Sequence, residues 1–149
     1  MTFELLIHHL NKARIEHPTW FGIEPTPPAS DPEIVAVERA LNITFPPDLR
    51  KVVQTHGSGY FAFAELYTLD LTESHNIVEQ NKAWGRSDFF IFSDNGCGDV
   101  FGFRRIQNGE WGPQIHMHDH ETGMFSEIFP NVFSFFATEG LRIPAGHGA

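Results

Sequence analysis

The sequence predicts an α+β fold, because helical signals crowd its first half and strand signals crowd its second half. Apolar residues at helical spacing and proline-started segments occupy residues 1–57, whereas aromatic runs broken by glycine turns are concentrated later in the chain. A doubly wound fold would alternate helices with strands. We therefore expect an antiparallel or mixed sheet that packs against the N-terminal helices and one C-terminal helix.

Length, composition and charge limit the class of protein. The chain has 149 residues, of which 41% are hydrophobic, so we expect one domain spanning residues 1–149. Its formal net charge of -9 would repel a nucleic-acid backbone, whereas it suits a basic protein partner. We expect a protein partner and no nucleic acid.

The only cysteine, Cys97, excludes an intramolecular disulfide and a multi-thiolate zinc site. Catalysis by its thiolate would need a nearby base and an oxyanion donor, and the sequence indicates neither, so we do not expect Cys97 to be catalytic. The chain has no long apolar segment and no basic start followed by an apolar stretch. We expect a cytoplasmic protein that does not bind membranes.

The first predicted helix is short and lies before Pro18. Apolar residues between Phe3 and Leu10 recur at helical spacing, which gives this helix one apolar stripe. Three prolines within residues 20–30 then prevent both a helix and a central strand. We expect this proline-rich segment to be a connector.

Two further helices are predicted before residue 58. Asp31 is suited to cap the second helix and Pro32 to begin it. A break at residues 45–47 separates it from a third helix, which Gly57 is placed to end. Residues 61–69 are then apolar enough for one or two strands.

A fourth helix is predicted to run from Asp70 towards Trp84. Asp70 and Glu73, three residues later, resemble a capping box at its start. The pair Asn108 and Gly109 favours a hairpin turn that leads into a strand near residues 114–118. These elements place the strands close to one another along the chain.

A closing helix is predicted after Asn131, which can cap its first turn. Gly140 is suited to end it, and residues 143–149 should be frayed. Most of the fifteen phenylalanines should be core residues rather than a ligand pocket, because eight of them follow strand or helix spacing. These eight are Phe89, Phe90, Phe92, Phe101, Phe103, Phe133, Phe135 and Phe136.

Residues 89–103, which read FFIFSDNGCGDVFGF, predict two strands and one tight turn. Gly96 and Gly98 can adopt positive φ, and Asp94 and Asp99 flank the turn. The stretch lacks the residue order of a calcium-binding loop. A structural corner braced by Asp99 is therefore favoured over a cation site.

The chain resembles the SUKH superfamily, and more narrowly its Smi/Knr type, over residues 31–136. Four segments carry the resemblance: residues 33–61, residues 89–103, the run HMHDHETG and the closing NVFSFF. Residues 1–30, the first helix and the connector, lie outside this family-like core. The residues that match the family pattern are Glu38, Phe45 with Pro46, Gly57 with Gly59, Gly98 with Asp99, and Asp119.

The resemblance implies an α+β domain, typically bacterial, that acts as an immunity protein by binding and neutralising a secreted toxin. It implies no catalytic residues. The yeast relatives of the family, which regulate cell-wall assembly, imply an alternative in which the domain is an intracellular regulatory scaffold. The toxin, the binding face and the oligomeric state are left open.

A second alternative is a metal-binding protein or small metal-dependent enzyme. His116, His118 and His120 alternate, so on a regular strand their side chains would share one face near Asp119. The run HMHDH is one residue shorter than the HxHxDH pattern of metallo-β-lactamases. We expect structural histidines, no metal and no cofactor, and these four residues are the ligands if a metal binds.

The partner-binding surface is predicted from exposed aromatic and acidic residues. Tyr60 follows a glycine cap and Trp111 lies between glycines, so we expect loops to expose both rings, and partial burial is the equally weighted alternative. Asp94, Glu110 and Glu121 would then supply an acidic rim. Such a surface suits a basic toxin domain.

Overall fold

The computed structural model of the protein describes residues 1–22 and 27–145, and within them it shows the predicted α+β fold. The part of the connector at residues 23–26 and the tail at residues 146–149 lie outside the described residues. The helices are α1 (Phe3–Glu16), α2 (Asp31–Leu41), α3 (Pro47–Thr55), α4 (Ile77–Trp84) and α5 (Val132–Phe135). The strands are β1 (Gly59–Phe61), β2 (Ala64–Leu66), β3 (Phe89–Asp94), β4 (Val100–Arg105), β5 (Trp111–His118) and β6 (Phe125–Phe129).

Both sheets are antiparallel. Strands β1 and β2 form a two-stranded hairpin, and β3, β4, β5 and β6 form a four-stranded meander in chain order. Between α1 and α2, Pro18–Phe21 form a single 3-10 turn, and a π-helical turn at Phe136–Gly140 follows α5. None of the helices in the described ranges is long and apolar enough to cross a membrane.

The start of α2 differs from the prediction by one residue. Ser30 is the N-cap, because its Oγ accepts a hydrogen bond from the Glu33 amide while the Glu33 carboxylate accepts one from the Ser30 amide. Asp31 is already the first helical residue. The reciprocal capping box outcompetes Asp31, which has no such partner three residues later.

The start of α4 also corrects the prediction. Asp70 Oδ1 accepts from the amide and the hydroxyl of Thr72, at 3.0 and 2.6 Å, and so closes a local turn instead of opening a helix. Helix α4 begins seven residues after Asp70, where Asn76 caps the Glu79 amide at 2.9 Å. Asp70 and Glu73 have the spacing of a capping box, but no helix begins at Asp70.

Helix α4 and the residue that follows the β1–β2 hairpin both form hydrogen bonds with the edge strand β3. Asn81 donates to the Ile91 carbonyl at 2.9 Å and accepts from the Ile91 amide at 3.0 Å. A bulge in β3 between Ile91 and Ser93 coincides with a further bond, from the Tyr67 amide to the Phe92 carbonyl at 2.9 Å. The edge of the sheet is thereby satisfied by side-chain and main-chain partners.

Most of the other predicted elements are confirmed. Gly57 ends the third helix with φ 96°, and the turn before β5 contains Gly109 with φ 75°. Asn131 caps α5 by accepting from the Ser134 amide at 2.9 Å, and its side-chain amide also donates to the Met1 carbonyl. Strand β6 was not predicted, and β5 begins three residues earlier than expected.

The core includes the face of the sheet against which α5 packs, and α5 in turn packs against α1 and α3. All eight phenylalanines predicted as core residues are buried, with exposed fractions of 6% or less. Phe135 is a hub of this core, since its ring lies 5.0 to 5.7 Å from the rings of Phe92, Phe101 and Phe129. A rigid aromatic core therefore supports the loops at both ends of the sheet.

Candidate functional site

The turn between β3 and β4 is a closed structural corner, as predicted. Asp94 Oδ1 accepts from the Gly96 amide at 2.9 Å, and Asn95 Oδ1 accepts from the amides of Cys97 and Asp99 at 2.9 and 3.2 Å. Gly96 and Gly98 both have positive φ, at 75° and 103°. The short polar side chains therefore satisfy the turn amides, which fixes the loop.

A cleft of about 300 Å³ opens between this corner, the β1–β2 hairpin and the turn after α5. The buried rings of Phe101 and Phe135 lie at its base. We call it the acidic cleft, because carboxylates outnumber cations among its lining residues. Its charged residues and exposed aromatic residues are Tyr60, Phe63, Glu65, Asp94, Glu139 and Arg142.

The aromatic wall of the acidic cleft consists of two exposed rings on a hairpin whose backbone is bonded to the C-terminal turn. Tyr60 is 39% exposed and Phe63 is 47% exposed. The hairpin turn between them passes through Ala62, which has φ 53°, and the Phe63 amide donates to the Gly140 carbonyl at 3.1 Å. This hydrogen bond joins the hairpin backbone that carries the two rings to the C-terminal turn.

Asp94 is the half-buried carboxylate of the acidic cleft. Its Oδ2 accepts a hydrogen bond from the Tyr67 hydroxyl at 2.8 Å. Burial, and then the hydrogen bond to Asp94, raise the pKa of Tyr67 far above its ordinary value. Tyr67 therefore remains a donor at any physiological pH and holds the carboxylate in one orientation.

Arg142 supplies the guanidinium of the acidic cleft. Its Cζ lies 4.2 Å from the centre of the Phe63 ring, and its backbone is left-handed, with φ 62°. Trp20 packs edge-on against the same ring at a centroid distance of 5.2 Å. Phe63 is therefore contacted by a cation and by an indole.

A second depression, of about 480 Å³, lies at the other end of the sheet, and we call it the basic groove. Its cations are Lys82, Arg86 and Arg105, and its aromatic residues include Phe90 and Trp111. Trp111 lies on β5, so the prediction that it lies in a loop is wrong, whereas its half-burial agrees with the alternative of partial burial. Its indole Nε1 donates to the Thr44 carbonyl at 2.6 Å.

Two of the three cations of the basic groove, Arg86 and Arg105, form hydrogen bonds within the protein. Arg86 forms two bonds to Asp88, at 3.0 and 2.9 Å, and Arg105 donates to the carbonyls of Ser87 and Gly109. Helix α4 ends beside the groove at Gly85, and Lys82 lies in its last turn. Because the C-terminus of a helix carries partial negative charge, these cations stabilise the fold.

The five residues predicted to bind a partner fall into three places. Tyr60 and Asp94 line the acidic cleft. Glu110 and Trp111 lie at the opposite end of the sheet, since β5 pairs with β4 from Trp111 opposite Arg105 to His118 opposite Val100. Glu121 follows β5 and is exposed in the turn before β6.

Sequence reasoning missed four residues of the acidic cleft. Phe63 and Glu65 flank the inward-facing Ala64, and this alternation was a usable signal. Glu139 and Arg142 come from the end of the chain. Only the packing of the C-terminal turn against the hairpin brings them to the cleft, and no local pattern encodes that contact.

The histidines considered as metal ligands are divided between two places. His118 packs between the rings of Trp84 and Phe125, with centroid distances of 4.7 and 4.8 Å. The neighbouring His116 has a buried Nδ1 without a hydrogen-bond partner among the described residues. Burial, and then nearby Arg104, lower the pKa of His116. Both rings are thus largely enclosed by protein atoms.

His120 and Asp119 instead form a group with Asp99, whose possible ligand atoms lie within 4.8 Å of one another. Asp99 Oδ1 lies 2.7 Å from His120 Nδ1 and also accepts from the His120 amide at 3.0 Å. These hydrogen bonds lower the pKa of Asp99 to about 2, and the bond to Asp99 raises the pKa of His120. An ion pair that links the corner to the β5–β6 turn explains the group without a metal.

Comparison with known protein families shows which residues of the chain belong to a known type of domain. The sequence profile of the SMI1 / KNR4 family (SUKH-1) matches residues 28–138. The chain belongs to the SMI1/KNR4 family. No curated protein matches it. In this SUKH-1 domain, helix α1 precedes the matched span, whereas the corner, both sheets and α5 lie within it.

Two of the residues noted for the resemblance have structural roles in this SUKH-1 domain. Glu38 accepts from the Phe45 amide at 2.8 Å and lies 3.6 Å from Arg50, so it joins α2 to α3. A Cβ atom at Gly98 would lie 2.9 Å from the His120 ring. The Gly and Asp pair at the corner therefore receives the His120 side chain, since Asp99 binds it and Gly98 leaves room for it.

Proposed function

We propose that this SUKH-1 domain is a non-enzymatic immunity protein that binds and neutralises a cognate toxin through the acidic cleft. The observation that carries the proposal is the pairing of two exposed aromatic rings, Tyr60 and Phe63, with a predominantly negative lining. Rigid aromatic residues are common anchors of protein interfaces. The acidic lining suits a basic surface on the toxin.

The family supports the same proposal, because SUKH domains commonly serve as immunity proteins. The formal net charge of -9 would also speed the encounter with a basic partner. Blocking a toxin by binding requires no catalytic group in the inhibitor. The cleft then acts as a recognition surface whose shape is set before the partner arrives.

The proposal is tested with toxin domains encoded by genes that neighbour the gene for this protein. We expect the purified proteins to form a complex measurable by calorimetry, and co-expression to restore growth of cells that produce the toxin. Tyr60→Ala and Phe63→Ala should weaken both effects, whereas Ile15→Ala, which shortens an apolar residue that is 82% exposed on α1, should not. Failure of both binding and rescue by the unaltered protein would remove the basis of the proposal.

The scaffold alternative uses the same kind of surface for an endogenous partner. Binding to such a partner, with no rescue from any neighbouring toxin, would favour it. The metal alternative is best represented by Asp99, Asp119 and His120. Stoichiometric zinc in untagged protein, lost in an Asp119→Asn variant, would favour that alternative over the ion-pair interpretation.

A further inference from the structure

We propose that the acidic cleft receives an arginine side chain of the protein partner, an assignment that rests on the proposed protein-binding function. The first observation is the charge of its lining. Glu65, Asp94 and Glu139 face a single cation, Arg142, so the cleft is negative as a whole. No ion pair between Arg142 and a carboxylate occurs within residues 1–22 and 27–145. The three carboxylates are thus available to a positive group from outside.

The second observation identifies the chemistry of the guest. The protein already places a guanidinium, that of Arg142, 4.2 Å from the centre of the exposed Phe63 ring. A planar guanidinium stacks on aromatic rings and is less strongly hydrated than an ammonium group. The aromatic wall of the cleft is therefore suited to arginine, and Tyr60 offers a second exposed ring in the same lining.

The third observation is the preparation of Asp94 as an acceptor. Tyr67 donates to Oδ2 at 2.8 Å and the Gly96 amide donates to Oδ1 at 2.9 Å. A carboxylate has about four acceptor positions, so each oxygen can take a further donor. The forked donors of a guanidinium match two such oxygens held in a fixed orientation. Glu65 and Glu139 are exposed and would add attraction from the rim.

The size of the cleft agrees with a single side chain. Its volume of about 300 Å³ lies at the lower limit of pockets that enclose whole small ligands. It would accommodate the stem and head of one long residue, with the rest of the partner resting on the rim. A partner helix would need a longer groove.

A model compound tests the assignment without the toxin. We would titrate the ¹⁵N-labelled protein at low ionic strength with N-acetyl-L-argininamide, its uncharged citrulline analogue and N-acetyl-L-lysinamide. We expect the arginine compound to shift the amides of Phe63, Gly96 and Glu139, with a dissociation constant of the order of millimolar. The citrulline analogue should cause no shift, and the lysine compound should bind more weakly.

Charge variants of the rim provide the matched comparison. Glu65→Gln with Glu139→Gln should weaken binding of argininamide by about threefold or more, since each exposed pair contributes little alone. Glu127→Gln, which removes an exposed carboxylate on β6 at the edge of the sheet opposite β3, should leave it unchanged. Equal binding of citrulline or lysine, shifts spread over the surface, or an equal effect of Glu127→Gln would each overturn the assignment.

Removal of the Arg142 side chain should strengthen binding of argininamide, whereas removal of the carboxylates should weaken it. Because its guanidinium already occupies Phe63, removing it should free the ring and make the cleft more negative. Arg142→Gly suits the left-handed backbone at this position and should tighten binding of argininamide by about twofold to fivefold. Arg142→Lys, which keeps the charge, should change it less. Unchanged or weaker binding in the glycine variant would contradict the proposed location.

The toxin domain separates the two proposals. If it binds this protein and the Glu65→Gln, Glu139→Gln double variant binds equally well, the arginine assignment fails while the protein-binding function stands. If argininamide binds as expected and the toxin domain does not, the arginine site stands while the immunity function fails.

Discussion

The acidic cleft and the basic groove both combine charged side chains with aromatic rings, but they use them differently. In the groove, Trp111 donates to Thr44 and Arg105 stacks on the indole at 4.2 Å. In the cleft, Tyr60 and Phe63 stay exposed and the carboxylates of Glu65 and Glu139 face solvent. The polar groups of the groove form hydrogen bonds within the fold, whereas the carboxylates of Glu65 and Glu139 in the cleft face solvent.

The comparison shows that a charged cluster must be judged by what already neutralises it. Arg86 and Lys82 have Asp88 and a helix C-terminus beside them. Around Asp94, the protein supplies hydrogen-bond donors but no cation that forms an ion pair within the described ranges. A cluster of charges indicates a binding site only where no opposite charge within the protein neutralises it.

The sharpest test of this difference replaces one aromatic residue of each site with alanine, Trp111 in the groove and Tyr60 in the cleft. Trp111→Ala should lower the free energy of unfolding by about 3 kcal/mol and leave toxin affinity unchanged, because the ring supports the fold. Tyr60→Ala should change stability by less than about 0.5 kcal/mol and weaken toxin binding by about 2 kcal/mol. Urea denaturation and calorimetry measure the two effects. The reverse pattern would refute the division of roles.

The backbone that supports the cleft can be tested at Gly140. A Cβ atom there would lie 2.8 Å from both the carbonyl oxygen and the ring of Phe61, so Gly140→Ala should cost about 1–3 kcal/mol of stability. Gly22→Ala is the control, because its Cβ would meet only the Thr19 carbonyl oxygen, at 3.6 Å. Equal thermal midpoints for the two variants would show that the contact at Phe61 relaxes easily.

Electrostatic attraction to the partner should be confined to the cleft end of the molecule. Glu139→Gln should slow association with the toxin domain by a few fold at low salt, and the difference should fade as ionic strength rises. Glu110→Gln has the same effect on net charge but should slow association much less. Stopped-flow measurements over a range of salt concentrations distinguish local attraction from the general effect of net charge.

The smallest expected effect concerns the Asp99 and His120 pair, which lies near the cleft end. The raised pKa of His120 gives stability that is complete below about pH 6.5 and is lost as pH rises through the folded-state value. The pKa of Asp99, lowered to about 2, gives stability that is lost only as pH falls below about 4. The pair should therefore stabilise most between these limits.

His120→Gln should thus flatten the fall in thermal midpoint between about pH 6 and pH 8. The exposed His8 on α1 provides the control variant, His8→Gln, which should keep the wild-type slope. NMR titration of His120 should give a pKa above the ordinary value for histidine. An unshifted His120, or an unchanged slope in its variant, would show that the ion pair does not persist in solution.

The fold was largely predictable because its signals are local. Glycines at Gly57 and Gly109, the cap Asn131 and the corner at residues 94–99 each act within a few residues, so short patterns identify them. The predicted helix starts were wrong where two local hydrogen-bonding arrangements compete. Ser30 outcompeted Asp31 as a cap, and Asp70 closed a turn instead of opening a helix.

The candidate site was predicted only in part because it is assembled from distant segments. Tyr60 and Asp94 were found from exposure and charge, whereas Arg142 reaches the cleft through the contact between the hairpin and the C-terminal turn. Trp111 was misjudged because its glycine neighbours suggested a loop, and its partner at Thr44 is 67 residues away. Long-range hydrogen bonds of this kind leave no pattern in the local sequence.

Because Trp20 packs against Phe63, its fluorescence can report on the cleft. The chain has three tryptophans, and Trp20 adjoins the cleft, whereas Trp111 lines the groove and Trp84 contacts His118. A protein that retains Trp20 but carries phenylalanine at the other two positions would emit from the cleft wall alone. A guest that moves the Phe63 ring would then change the intensity or colour of that emission, which would allow occupancy to be followed in dilute solution without a label.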